Sequence, residues 1–285
     1  MAFQPRVQPL AGRAVFLSAS VPSPERAERY RRIPEAFARV EQAVLRVASA
    51  VFNAGGSLVF GGHPSISPLV GYLCTQYQPP PSEPGESAPL KNREPSTAPR
   101  VFLWQSQAFR GTWAEPSKRL AGMPGVSVYW TPAADGERFD PDRLGERQCP
   151  VSLEIMRRSM INESKPVAMV AVGGMEGVEE EFSVFRQFRK TAPVYALPTT
   201  GGAAEILFKN HCDATTGAVR SFDAEVEGHV LAFRKREREQ ERIQRKKLGG
   251  PPLVDPDDGD VVVIPYANVA IRIVEDIVRH LGGKQ

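Results

Sequence analysis

Leu-Val-Phe-Gly-Gly at 58–62 and Ala-Val-Gly-Gly-Met-Glu-Gly-Val-Glu-Glu-Glu at 171–181 decide how this chain is read. Each is an apolar run that ends in a glycine pair and leads into a helix-like segment. An α/β sheet builds an anion-accepting edge in this way, because glycine lets backbone come close to a ligand and the next helix aims its free N–H groups at it. Two such strings in one chain predict a nucleotide site. Gly61, Gly62, Gly173, Gly174, Met175, Glu176 and Gly177 are its candidate backbone, with phosphate expected along Gly61-Gly62 and Gly173–Gly177.

Working outward from the strings, apolar strands and amphipathic helices alternate. Arg13–Ser20 reads as a strand ending in the small polar residues Ser18 and Ser20, which leave room for a ligand beyond the strand end. Phe37, Val40, Val44, Val47, Ala48 and Val51 recur at helical spacing over 34–53. Further strands are expected at 57–61, 100–107, 126–131, 165–172 and 193–197, with helices at 66–77, 178–189 and 202–210. The apolar pattern of Leu153, Ile155, Met156, Met160 and Ile161 marks another helix within 140–164. Nearly continuous apolar strands joined by helix-length crossovers predict an α/β fold, a doubly wound and mostly parallel Rossmann-like sheet. The chain is expected to be a single domain over 1–285.

Residues 78–100 hold seven prolines and little large apolar surface, so a disordered surface insertion is expected there. Phe222, Val226, Val230 and Phe233 share a helical face within a C-terminal helical extension over 222–285. The continuation at 234–247 carries eight basic and three acidic side chains, and Gly249–Pro252 should break it. Ala267–Leu281 closes the chain as an amphipathic helix.

The formal charge is +3 over 285 residues, and much of it sits in 234–247. The basic run has no interleaved aromatic residues for base stacking, so nucleic-acid binding is not expected. Cys74, Cys149 and Cys212 have neither metal-ligand nor disulfide spacing, and no metal is expected. No run of about 18 apolar residues occurs. The default expectation is a cytoplasmic protein with no membrane contact.

The strings also resemble a known group. Leu-Val-Phe-Gly-Gly-His-Pro-Ser-Ile-Ser-Pro-Leu-Val-Gly is similar to the second strand and loop of the LOG phosphoribohydrolases, whose usual form is Leu-Val-Tyr-Gly-Gly-Gly-x-x-Gly-Leu-Met-Gly. Val-Gly-Gly-Met-Glu-Gly-Val-Glu-Glu-Glu resembles their Pro-Gly-Gly-x-Gly-Thr-x-x-Glu, and Glu154–Met160 stands where they carry Met-His-x-Arg-Lys. Pro-Val-Tyr-Ala-Leu-Pro-Thr-Thr-Gly-Gly-Ala-Ala at 193–204 looks like the sensor-type branch of the wider SLOG superfamily. The likeness spans roughly 13–210 and lies closer to that branch than to LOG enzymes.

It implies a Rossmann-like fold that binds a nucleotide or an NAD/ADP-ribose-type ligand, either as a sensor in bacterial defence or as an enzyme acting at an N-glycosidic bond. Ser18, Ser20, His63, Arg157, Arg158, Thr199, Thr200, Gly201 and Gly202 join the glycine strings as ligand-contact candidates. Glu180 and Glu181 are the carboxylates that a hydrolase would use. Val178 stands where LOG enzymes usually have threonine, and His63-Pro64 replaces their third glycine. A homo-oligomer and a separate effector chain are the expected protein partners.

Overall fold

The apolar run at 168–173 sits at the heart of one parallel sheet. In the computed structural model, residues 8–22, 28–30, 33, 35–76, 100–143, 148–212, 219–248 and 262–283 are described. The strands are β1 (Ala14–Ser20), β2 (Ser57–Phe60), β3 (Val101–Ser106), β4 (Val126–Thr131), β5 (Ala168–Gly173), β6 (Val194–Leu197) and β7 (Val219–Arg220). Their order is β4-β3-β2-β1-β5-β6-β7, and every pairing is parallel.

Side chains alternate across the sheet and divide the core in two. Val15, Leu17, Val170 and Val172 face one layer, where α1 (Ala36–Asn53), α2 (Ser67–Gln76), α3 (Glu115–Ala121) and α8 (Tyr266–Gly282) pack. Phe16, Val59, Met169 and Ala171 face the other, against α4 (Pro150–Ser164), α5 (Glu176–Phe188) and α6 (Gly202–His211). Ser18 and Ser20 share the parity of Phe16, which sends them toward α4 and α5. After β4 the chain returns to pair β5 with β1, and the topology reverses there. Ligand crevices of open α/β sheets form at the strand C-termini beside such a reversal.

The Rossmann-like parallel sheet agrees with the alternation in the sequence, and several details are corrected. Phe37 is exposed although it shares the apolar stripe of α1, whose burial begins instead at Ala36. The strand expected from 165 starts at Ala168, because Lys165 closes α4 in a left-handed conformation and Pro166 has no N–H to offer a ladder. β7 went unforeseen, since two residues carry no readable period. Phe233 is exposed on α7 (Asp223–Lys247), which runs unbroken through the charged segment. The proline-rich insertion lies outside the described residues apart from Arg100, as do 249–261 with the expected Gly-Pro break.

The turn after β6 shows how tightly the centre is built. A Cβ on Gly202, at φ +62°, would lie 2.4 Å from the Gly174 carbonyl oxygen. No side chain fits there without moving backbone. Gly202→Ala should therefore cost about 3 kcal/mol, combining left-handed strain with overpacking. Gly136, at φ +73°, has nothing within 4 Å of an added Cβ, so Gly136→Ala should cost only about 1 kcal/mol. Urea denaturation of both variants checks the contrast.

Candidate functional site

A cavity of about 590 Å³ opens at the C-terminal ends of β1, β2 and β3, between the first turn of α5 and the middle of α4. Ser20, Gly61, Gly62, His63, Arg157, Met175, Glu176, Gly177, Glu180 and Glu181 line it.

Three side chains hold the Gly61–His63 loop from behind. Gln105 Nε2 donates to the Gly61 carbonyl at 2.8 Å, Ser117 Oγ to the Gly62 carbonyl at 2.8 Å, and Ser67 Oγ to the His63 carbonyl at 3.1 Å. In a trans peptide the N–H points opposite to the C=O. Fixing these carbonyls therefore fixes the directions of the Gly62, His63 and Pro64 nitrogens, and Pro64 has no hydrogen to donate. Gly62 itself has φ +65°, and a Cβ there would meet Gln105 Nε2 at 2.5 Å. His63 stands exposed, with Nδ1 2.8 Å from Ser65 Oγ.

On the opposite wall α4 and α5 bring together an arginine and two glutamates. Glu137 anchors α4 by accepting from the backbone N–H groups of Val151 and Ser152, at 3.1 and 2.7 Å. This replaces an N-cap side chain, because Cys149 makes no cap bond. Two turns on, Arg157 is buried and its Nη1 donates to Glu180 Oε2 at 2.5 Å, while its Nε lies 4.0 Å from Glu181 Oε1. Ser18 Oγ donates to Glu181 Oε2. Ser18 thus meets the cavity through Glu181 without lining it. Burial pushes the Glu181 carboxyl up from its ordinary range, opposed by Arg157 and the Ser18 hydroxyl and reinforced by Glu180.

Several other candidates are held by partners within the protein. Gly173 N–H donates to Thr200 Oγ1 at 2.7 Å, Gly174 N–H to the Ser20 carbonyl at 2.7 Å, and Ala203 N–H to the Gly174 carbonyl at 2.9 Å. Thr199 donates to buried Asp223 through both N–H and Oγ1, at 3.0 and 2.5 Å. Thr199, Thr200, Gly201 and Gly202 therefore tie β5, β6 and α7 together. Arg158 is exposed on the outer face of α4, bonded to Gln187 and lying over Phe188.

The structure adds residues that the sequence reading passed over. Gln105, Ser117 and Glu137 position the site, and Phe109, Trp113 and Phe139 line it. Gln105, a polar residue at the end of an apolar strand, was the one visible signal. Among the described residues no group of three His, Cys, Asp or Glu side chains could hold a metal ion, and no helix is long and apolar enough to cross a membrane.

The model of the SLOG cluster3 family matches residues 90–224. That stretch contains β3 to β7, Arg157, the 171–181 string and the Thr-Gly-Gly-Ala-Ala turn, and leaves out the 58–62 string. Over it the chain is similar to SLOG proteins, in keeping with the motif resemblance. None of the curated proteins matches the chain. An X-ray structure of TM1055 is 13% identical, covers 77% of this chain and 98% of its own, and has a TM-score of 0.39.

The raised Glu181 carboxyl has a consequence for stability. A group that keeps its proton in the folded state after the unfolded chain has lost it makes stability fall with rising pH. The loss begins near the unfolded value, about 4.3, and ends once pH has passed the raised folded value. Glu181→Gln removes this contribution, so the variant should gain on the parent as pH rises through that window. Urea midpoints measured from about pH 4 upward test it, and parallel curves for the two proteins would refute it.

Proposed function

We propose that this SLOG-like chain binds a nucleotide or an NAD-derived small molecule in the cavity and serves as the sensing part of a defence or stress-signalling system. The observation that supports this reading is the convergence of the Gly61-Gly62 loop, the first turn of α5 and buried Arg157 on one cavity of about 590 Å³. That volume is within the range of small-molecule sites. The turns that shape it are held by hydrogen bonds within the protein, so a ligand would meet a largely preformed surface.

Glu181 favours a second reading, hydrolysis at an N-glycosidic bond. A carboxyl buried beside Arg157 and bonded to Ser18 has the means to take a proton from water or to face a developing oxocarbenium ion. In this reading Glu181 is the acid–base group. Arg157 positions it and pairs with Glu180, and Ser18 orients its second oxygen.

Melting curves and chromatography of the purified chain with AMP, NAD and ADP-ribose separate the readings. A ligand at a hundredfold excess over Kd should stabilise the fold by about 2.7 kcal/mol. Ligand recovered intact supports sensing. Free base released by the parent and lost in Glu181→Gln supports hydrolysis, and the absence of any rise in Tm counts against both.

A further inference from the structure

The charges of the cavity narrow what it can take. Among the described lining residues the acidic groups are Glu176, Glu180 and Glu181, and the basic groups are Arg157 and His63. Arg157 is already engaged, donating to Glu180 at 2.5 Å with Glu181 at 4.0 Å from its Nε. Its positive charge is therefore matched by carboxylates of the protein before any ligand arrives. His63 is exposed at the rim.

Two backbone donors of the second glycine string are already engaged. The N–H groups of Gly173 and Gly174, where a phosphate cradle would lie, are bonded to Thr200 and Ser20. The positive end of the α5 dipole meets Glu176 and Glu179 in its own first turn. A ligand bringing several negative charges would face Glu176 with Arg157 already neutralised, and at partial burial that repulsion is large.

Aromatic side chains, among them Phe109, Trp113 and Phe139, form another part of the lining. Phe109 and Phe139 meet with ring centroids 5.1 Å apart, and Trp113 stands edge-on to Trp130 at 4.9 Å. Such a wall suits the flat face of a base, and aromatic faces also attract cations. Carboxylates accept hydrogen bonds, which suits the hydroxyls of a ribose.

We propose that the cavity selects an unphosphorylated nucleoside with a neutral or cationic base, a pyridinium riboside being the best match, over its phosphorylated forms. The base lies against Phe109, Trp113 and Phe139, and the ribose lies over Glu176, Glu180 and Glu181. This rests on the reading that the cavity is the ligand site of the chain.

Titration calorimetry and melting curves of the full chain test it with two series: nicotinamide riboside, nicotinamide mononucleotide and NAD; and adenosine, AMP and ADP. Binding should weaken about tenfold with the first phosphate in each series, and nicotinamide riboside should bind more tightly than adenosine. Glu176→Gln, on the partly exposed first turn of α5, should narrow the gap between riboside and mononucleotide severalfold and leave the Tm of the free protein nearly unchanged. Affinity that rises with phosphate number, or a gap that Glu176→Gln does not move, overturns the selectivity and leaves the ligand site standing. Silence from every compound in both series overturns the ligand site, and the selectivity with it.

Discussion

Close backbone approach among Ser20, Gly173, Gly174 and Gly202 is the constraint on which the rest of the molecule depends. Gly174 bridges the end of β1 to the start of α6, donating to Ser20 and accepting from Ala203. A Cβ on Gly173 would lie 2.6 Å from the Ser20 carbonyl oxygen, as intolerable as the one on Gly202. Three elements can therefore meet only where side chains are missing. This meeting sets where α5 begins, and the start of α5 sets where Glu180 and Glu181 stand relative to Ser18 and Arg157. Gly173 and Gly174 thus act on the cavity through packing, while Met175–Gly177, Glu180 and Glu181 of the same string form its wall.

The same junction reaches outward. Thr200 holds Gly173, and its neighbour Thr199 donates twice to Asp223 at the start of α7. Burial pushes the Asp223 carboxyl up, and the hydrogen bonds from Ser221 and Thr199 offset that burial. Arg39 of α1 adds a bond to the Thr199 carbonyl at 3.0 Å and another to the Val262 carbonyl at 3.3 Å. A buried carboxylate with several donors is costly to disrupt. The first turn of the charged helix is in this way fastened to the centre of the sheet, even though most of that helix has no core contact.

Much of this architecture was legible because its signals are local. Continuous apolar strands such as 168–172 and the wide stripe of α1 announce a parallel sheet with helices on both faces, and the small residues ending β1 mark the edge where the cavity opens. What was not legible depends on contacts between distant segments. Nothing near Thr199 in sequence shows that its hydroxyl is engaged by Asp223, and nothing near Gly61 shows that Gln105 pins its carbonyl. Phe109, Trp113 and Phe139 lie in the irregular connections around β4, where no period reveals which side chains turn inward. Arg157 and Arg158 are neighbours with opposite fates because a helix rotates successive residues by about 100°. One is buried against Glu180 and the other lies over Phe188.

Val178 shows how packing and chemistry compete for one position. A Cβ on Gly174 would come within 2.3 Å of its Cγ2, and Val178 is itself buried. A threonine there would be nearly the same size and would put a hydroxyl where Val178 both lines the cavity and packs in the cluster of Met175, Phe182 and Ala203. Burying a hydroxyl without a partner is unfavourable, so valine suits the packed turn and withholds a donor from the cavity. The charged part of the lining is mostly carboxylate, from Glu176, Glu180 and Glu181. A single apolar side chain at residue 178 thus closes the junction of β5 and α5 and forms part of the cavity wall.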